Sequence, residues 1–97
     1  MNDGPYTYIT LSMQPDEPTH VDVSFYTSGL QARSSVINER RPSLSIISRD
    51  AKVAVSTTGG GPVTNADLAI AREIFTAAAQ YLADCERLHA EHDQTAA

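Results

Sequence analysis

Residues 57–67 have the sequence TTGGGPVTNAD and divide the chain into two parts with different hydrophobic periodicities. Three consecutive glycines are costly to order in a strand, and Pro62 cannot donate a ladder hydrogen bond, so a β-strand has to end here. Thr64 and Asp67 have the spacing of a helix capping box. The segment therefore predicts strands before it and a helix after it.

Apolar and polar residues alternate before residue 57, which is the period of half-buried β-strands. Residues 6–13 and 20–26 form two predicted strands joined by an acidic, proline-containing turn. Residues 44–48 and 53–57 form a second hairpin around a turn at residues 49–51. Residues 38–42 are predicted to be a loop because they contain charges and Pro42. The alternation at residues 30–37 is weaker, so the sequence leaves open whether this segment is a strand, and it does not determine the strand order.

A long amphipathic helix is predicted after Thr64, because no glycine or proline occurs up to about residue 91. At about 1.5 Å per residue it would be roughly 40 Å long, whereas a seven-residue strand spans about 23 Å. One apolar flank consists of Ile70, Ile74, Ala77, Ala78, Tyr81, Cys85 and Leu88, and the other of Leu68, Ala71, Phe75, Ala79 and Leu82. Together they cover about twice the roughly 100° needed to cover one surface, which predicts a second contact surface.

The fold class predicted is α+β, in one domain that covers residues 1–97. An antiparallel sheet of four or five strands, built from successive hairpins, is followed by one long C-terminal helix packed on one face of the sheet. Phe75 is expected near the centre of that packing. Residues 1–4 and 93–97 are predicted to be flexible ends, because they are short, polar or small.

Composition and targeting signals indicate a cytoplasmic protein. No stretch approaches the roughly 18 consecutive apolar residues of a membrane helix, and no basic segment followed by an apolar run occurs at the N-terminus. The single cysteine, Cys85, cannot form an internal disulfide, as expected in a reducing compartment. Six arginines against one lysine and an alanine-rich helix are typical of a high-GC bacterial genome.

The overhang of the long helix predicts a homodimer. Its interface is expected on the C-terminal half of the helix, at Ala77, Tyr81, Cys85 and Leu88, because leaving these side chains in water would expose a large apolar patch. The predicted function is a small non-enzymatic interaction or regulatory module whose protein partner, besides its own copy, the sequence does not identify.

A basic segment supports an alternative function. Residues 31–52 contain five basic and two acidic residues, a charge of +3 in a chain of net charge −5. The alternative is an anionic-ligand or nucleic-acid binding module, although an acidic chain disfavours nucleic acid. The candidate anion-binding residues are Arg33, Arg40, Arg41, Arg49, Gly59, Gly60 and Gly61. The arginine segment could equally bind the acidic helix of another subunit, and the sequence leaves this choice open.

Metal and catalytic sites are not predicted. Cys85, His89 and His92 lie on one helical face with ligand-like spacing, but one chain lacks a fourth ligand, and Cys85 falls in the apolar stripe. The glycine segment has no lysine in the position of a Walker A loop, and no G-x-S-x-G motif occurs. We therefore expect no metal, no cofactor and no enzymatic activity, and nominate no catalytic residue.

Overall fold

The computed structural model describes residues 6–96, and the predicted flexible residues 1–4 lie outside that range, as does residue 97. Five strands precede one helix: β1 (Tyr6–Ser12), β2 (His20–Tyr26), β3 (Gln31–Ile37), β4 (Arg41–Ile47), β5 (Lys52–Val55) and α1 (Asn65–Ala96). The α+β class is confirmed. The chain divides into two compact units, here called the strand unit, which ends at Ser56, and the helical unit, which begins at Thr57.

The strands form two antiparallel sheets. β1 pairs with β2, and β3, β4 and β5 form a three-stranded sheet in sequence order. The predicted single sheet of four or five strands is not confirmed, because β2 and β3 do not pair. At the connection, the Thr27 hydroxyl accepts a hydrogen bond from the Gly29 amide at 2.9 Å. This side-chain turn takes the place of the tight backbone turn that would return β3 alongside β2.

The turn between β3 and β4 settles the open question about residues 30–37, because Gln31–Ile37 is a strand. Asn38 and Glu39 have positive φ angles of 52° and 60°, and the Arg40 amide donates to the Ile37 carbonyl at 3.1 Å. Two successive positive φ angles match the right-handed twist of a hairpin. The chain therefore reverses within three residues.

The prediction that residues 38–42 are all loop is wrong at its C-terminal end, because β4 begins at Arg41. Pro42 pairs with Val36 of β3, but β5 reaches only from Ile47 to Leu44 of its neighbour. Pro42 therefore lies where one side of β4 has no strand beside it, a position that tolerates the missing N–H. The Ser56 hydroxyl donates to the Pro42 carbonyl at 2.8 Å and satisfies that oxygen.

The predicted turn at residues 49–51 joins β4 to β5. The Ser48 amide donates to the Ala51 carbonyl at 2.8 Å, and the Ser48 hydroxyl accepts from the Ala51 amide at 3.0 Å. Serine can make such local bonds to its own turn, which explains why the hairpin closes here. The hairpin predicted from the alternation on both sides is confirmed.

The pairing register gives each sheet one apolar face, as the alternation predicts, although the opposite face of the three-stranded sheet has Ile37 and Ile47 beside its polar residues. In the two-stranded sheet the apolar face is formed by Ile9, Leu11, Val21, Val23 and Phe25. In the three-stranded sheet it is formed by Ala32, Val36, Leu44, Ile46, Val53 and Val55. The opposite face of the two-stranded sheet has Tyr6 and Tyr26 with ring centroids 5.0 Å apart.

A capping box begins α1, as predicted. The Asp67 amide donates to the Thr64 hydroxyl at 3.2 Å, and the Thr64 amide donates to an Asp67 carboxylate oxygen at 2.7 Å. The backbone hydrogen bond from Thr64, with further bonds from the Thr57 and Thr64 hydroxyls, lowers the pKa of Asp67. The helix has 32 residues and continues through residues 93–96, beyond the predicted end near residue 91.

The apolar side chains of residues 6–93 are all at least partly exposed. Among the described residues no apolar side chain is buried, and Thr58 is the one buried polar residue. Ile9 and Leu11 on the apolar sheet face are each 59% exposed, and Phe75 on the helix is 74% exposed. The central position expected for Phe75 and the packing of the helix on a sheet stay predictions.

Candidate functional site

The predicted interface residues lie on an accessible face of α1. Tyr81 is 73% exposed and Leu88 is 55% exposed. Ala77 and Cys85 are also exposed, and Cys85 is a free thiol. Aromatic and aliphatic side chains of this size contribute most when they are removed from water. The structure therefore leaves this face available to a partner.

The apolar face is broader than the predicted interface, because it continues towards the N-terminal half of the helix. We call the following residues the helix seam: Leu68, Ala71, Phe75, Ala78, Leu82 and Cys85. They alternate three and four residues apart, which keeps them in one line along the helix. Ile74, Tyr81 and Leu88 flank one side of this line. Three members of the seam, Phe75, Ala78 and Leu82, were predicted to pack on the sheet together with Ile74, and their heptad spacing is the signal that places them in the seam.

The opposite side of α1 is polar and internally bonded. The Gln80 amide donates to Asp84 Oδ1 at 3.0 Å, and Arg87 contacts Asp84 Oδ1 at 3.6 Å and Glu91 Oε2 at 3.3 Å. These contacts are three or four residues apart and lie on the solvent side of the helix. Within the described part of the chain, Arg72 and Glu86, which border the seam on its other side, make no ion pair.

The histidines near the end of α1 continue the spacing of the seam. His89 Nδ1 lies 3.3 Å from Asp93 Oδ2, four residues further along the helix. Across the described residues, no group of three or more histidine, cysteine, aspartate or glutamate side chains is placed to hold a metal ion. Cys85, His89 and His92 are therefore not assembled as a ligand set in one chain. The expected lack of a metal stays a prediction.

The four candidate arginines are spread along the three-stranded sheet. Arg33 lies on β3 opposite Ser45, and its guanidinium donates to Gln31 Oε1. Arg40 lies in the turn before β4 and Arg49 in the turn after it, so the two are separated by the length of a seven-residue strand, about 23 Å. One small anion cannot contact all of them.

The pairing register of β4 with β5 places Lys52, which was not among the predicted anion-binding residues, on the same face as two of the candidate arginines. Arg33, Arg41 and Lys52 share one face of the three-stranded sheet. Arg33 pairs with Ser45 of β4 and Lys52 pairs with Ile47, and both of these β4 residues lie an even number of positions from Arg41. Arg33 and Arg41 are four strand positions apart, about 13 Å, and Lys52 lies two strands from Arg33. The +3 charge of the segment, together with its pairing register, is the signal that could have identified Lys52. This spacing suits an extended anion better than a single phosphate.

The glycine segment, residues 59–61 near the start of the helical unit, contains a local hydrogen bond but no glycine in the left-handed region of φ. The buried Thr58 hydroxyl donates to the Gly61 carbonyl at 3.0 Å. None of the described glycines has positive φ, and a Cβ added at Gly59, Gly60 or Gly61 would meet open space. The local structure therefore does not itself require glycine at these three positions.

Within residues 6–96, α1 does not have the combination of length and apolar composition needed to cross a membrane. Comparison of the chain with protein-family models, with curated proteins and with solved structures finds no match.

Proposed function

We propose that the protein is a small non-enzymatic homodimeric interaction or regulatory module, whose interface includes Ala77, Tyr81, Cys85 and Leu88. The observation that carries the proposal is the absence of any buried apolar side chain among the described residues. Domains of about 100 residues need to bury most of their apolar side chains to be stable. A second copy of the chain would remove the apolar side chains of the interface from water.

A second copy of the chain is the favoured partner because one surface can then serve both subunits about a two-fold axis. The interface residues include two small side chains, Ala77 and Cys85, beside two large ones, Tyr81 and Leu88. Small residues let two helices approach closely, and large ones supply contact area. An interaction role requires only this surface, without a pocket or a reactive group.

Sedimentation equilibrium at micromolar concentration tests the dimer. The parent is expected at twice the monomer mass, and Leu88→Asp is expected to shift the protein towards monomer because a carboxylate would be buried without a partner. Ala83→Asp is the matched control, since Ala83 lies on the polar side of α1 and should leave the dimer intact. A parent at the monomer mass at all concentrations, with Leu88→Asp behaving identically, would contradict the proposal.

The second candidate function is binding of an anionic ligand or nucleic acid, supported by the shared face of Arg33, Arg41 and Lys52. Arg33 lies about 12 to 14 Å from each of the other two cations, and Arg41 and Lys52 lie about 20 Å apart, a spread that fits a flexible polyanion such as a single-stranded oligonucleotide. Arg40, Arg49 and the segment Gly59–Gly61 would then extend the binding surface. The alternative use of these cations is attraction to the acidic helix of another subunit.

Binding to a fluorescent single-stranded oligonucleotide at several salt concentrations tests this candidate. Three phosphate contacts predict that log K falls with log salt with a slope of roughly −2. Arg33→Gln should weaken binding and reduce the slope, and Lys52→Gln, on the same face at the opposite edge of the sheet, should do the same. If the oligonucleotide does not bind at low salt, the anion function is excluded, and the dimer proposal is unaffected.

A further inference from the structure

We infer that two copies of α1 pair antiparallel through the helix seam, about a two-fold axis that passes between the Ala78 and Leu82 layers, beside Tyr81. This inference rests on the proposed homodimer and assigns its geometry. The starting observation is that the seam is continuous and accessible. Phe75 is 74% exposed and Leu82 is 59% exposed, and the flanking Tyr81 and Leu88 are accessible on the same side.

Side-chain volumes along the seam favour the antiparallel direction. A parallel pair in register would place Phe75 against Phe75 and Ala78 against Ala78, which crowds one layer and leaves a void in the next. In the antiparallel pair Phe75 of one copy faces Cys85 of the other, Ala78 faces Leu82, and Ala71 faces His89. Each of these three layers combines a large and a small side chain, which fills the space evenly, and only the end layer of Leu68 and His92 has two large side chains.

The flanks of the seam also match in this direction. Ile74 of one copy lies beside Leu88 of the other, and the two copies of Tyr81 meet at the axis. All three are apolar or aromatic, so the pairing covers the exposed flank as well as the seam. In a parallel pair the same geometry would place Tyr81 beside Glu86 and Leu88 beside Asp93 of the second copy.

Charge gives an independent argument. On the other flank, Arg72 of one copy lies beside Glu86 of the second, and the two-fold axis repeats this pair. Neither residue makes an ion pair within the described part of its own chain. Residues 65–80 carry a formal charge of −1 and residues 81–96 carry −3. An antiparallel pair keeps the two acidic halves apart, whereas a parallel pair places them side by side.

The test uses disulfide formation, because Cys85 is the single cysteine of the chain. In the antiparallel pair, Cys85 of one copy is offset from Cys85 of the other by about ten residues, roughly 15 Å, which no disulfide spans. Phe75→Cys places a thiol opposite Cys85 of the second copy. Because removal of the Phe75 ring weakens the dimer, the variant is oxidised mildly at a concentration above its own dissociation constant, measured by sedimentation. It should then give a covalent dimer on non-reducing gels, whereas the parent at the same concentration should stay uncrosslinked. Phe75→Cys with Cys85→Ala is the control and should also stay uncrosslinked.

A charge exchange tests the same geometry without removing Phe75. Arg72→Glu and Glu86→Arg should each weaken the dimer about tenfold, because each replaces two attractive contacts by two repulsive ones. The double variant Arg72→Glu with Glu86→Arg should return the dissociation constant to within about threefold of the parent. Glu73→Arg, which makes the same charge change on the polar side, should have no comparable effect.

The outcomes separate this inference from the proposal on which it rests. A parent that is monomeric in sedimentation removes both. A dimeric parent that crosslinks readily through Cys85 alone, and whose charge-exchanged double variant is as weak as the two single variants, overturns the antiparallel geometry and leaves the homodimer standing. A dimer that crosslinks only in Phe75→Cys, and regains affinity on charge exchange, supports the inference.

Discussion

Different interactions stabilise the secondary structure of the strand unit and of the helical unit. In the strand unit, cross-strand registers and turns with side-chain hydrogen bonds give each sheet one apolar face. In the helical unit, a capping box and the backbone hydrogen bonds of one helix stabilise the secondary structure. Apolar residues extend over about half the circumference of that helix. Local chemistry thus determines the elements in both units, and we propose that assembly with a second copy provides the burial.

The largest effect expected from this comparison is at Phe75. If it is buried between two helices, Phe75→Ala removes about 3 to 5 kcal/mol per copy when the site does not collapse, and weakens the dimer by more than about 100-fold. Sedimentation across a concentration series measures the change.

Tyr8→Ala is the matched control in the strand unit, because Tyr8 is also more than half exposed and lies on the polar face of its sheet. It should change the stability and the dissociation constant little. Equal effects of Phe75→Ala and Tyr8→Ala would show that the helix seam contributes no more to dimer formation than the polar face of the two-stranded sheet, which would contradict burial of Phe75 in the dimer.

A smaller effect is expected at the start of the helix. Thr64→Ala removes the hydroxyl that accepts from the Asp67 amide and should reduce the free energy of unfolding by about 1 kcal/mol. Thr64→Ser keeps the acceptor and should restore most of the loss. Thermal unfolding followed by circular dichroism at 222 nm measures both variants, and an unchanged midpoint for Thr64→Ala would contradict a role for this cap.

The lowered pKa of Asp67 adds a pH dependence to the same cap. Because the folded-state pKa lies below the unfolded value, the stabilisation is fully present above the unfolded pKa and is lost as the pH falls through the lowered folded pKa. Asp67→Asn should therefore flatten the stability profile in this acidic range. If parent and variant lose stability in parallel there, Asp67 does not contribute.

In the strand unit, the turn at Asn38 and Glu39 offers a gain in stability. Glu39 has a φ of 60°, which costs a residue with a Cβ more than it costs glycine. Glu39→Gly should therefore raise the free energy of unfolding by up to about 1 kcal/mol, partly offset by the entropy of glycine in the unfolded chain. Glu39→Val should lower it, because a β-branched side chain tolerates this backbone poorly. Urea titrations of the three proteins distinguish these signs.

The smallest effect is expected in the glycine segment. Gly60→Ala meets no neighbouring atom and does not require a positive φ, so the loss of unfolded-state freedom should stabilise the protein by about 0.4 to 1 kcal/mol. A clear loss of stability would show that this glycine is constrained in the assembled protein.

Features that depend on nearby residues could be predicted from the sequence. The strand alternation, the turn at residues 49–51 and the capping box at Thr64 all rest on groups within a few positions of one another. The strand character of Pro42 could not be predicted, because it depends on how far β5 extends beside β4. The division into two sheets and the exposure of Phe75 depend on pairing and packing between distant residues, which periodicity alone does not specify.

The candidate sites show the same limit. The proposed interface residues on α1 were selected from helical spacing and are exposed in the structure, and their role as an interface stays a prediction. Lys52 counts towards the +3 charge of residues 31–52, but only the register of β5 with β4 places it on the same face as Arg33 and Arg41. The candidate arginines are close in sequence but separated along the sheet, because strand rise spreads residues quickly in space.

The accessibility of Cys85 as a function of protein concentration tests the central claim most directly. Its thiol is exposed in the single chain and lies in the helix seam that a second copy would cover. We predict that its rate of reaction with a thiol reagent falls as the protein concentration rises through the dimer dissociation constant, and that Leu88→Asp reacts at the fast rate throughout. A parent rate that stays at the fast value of Leu88→Asp at every concentration up to the millimolar range would contradict the account.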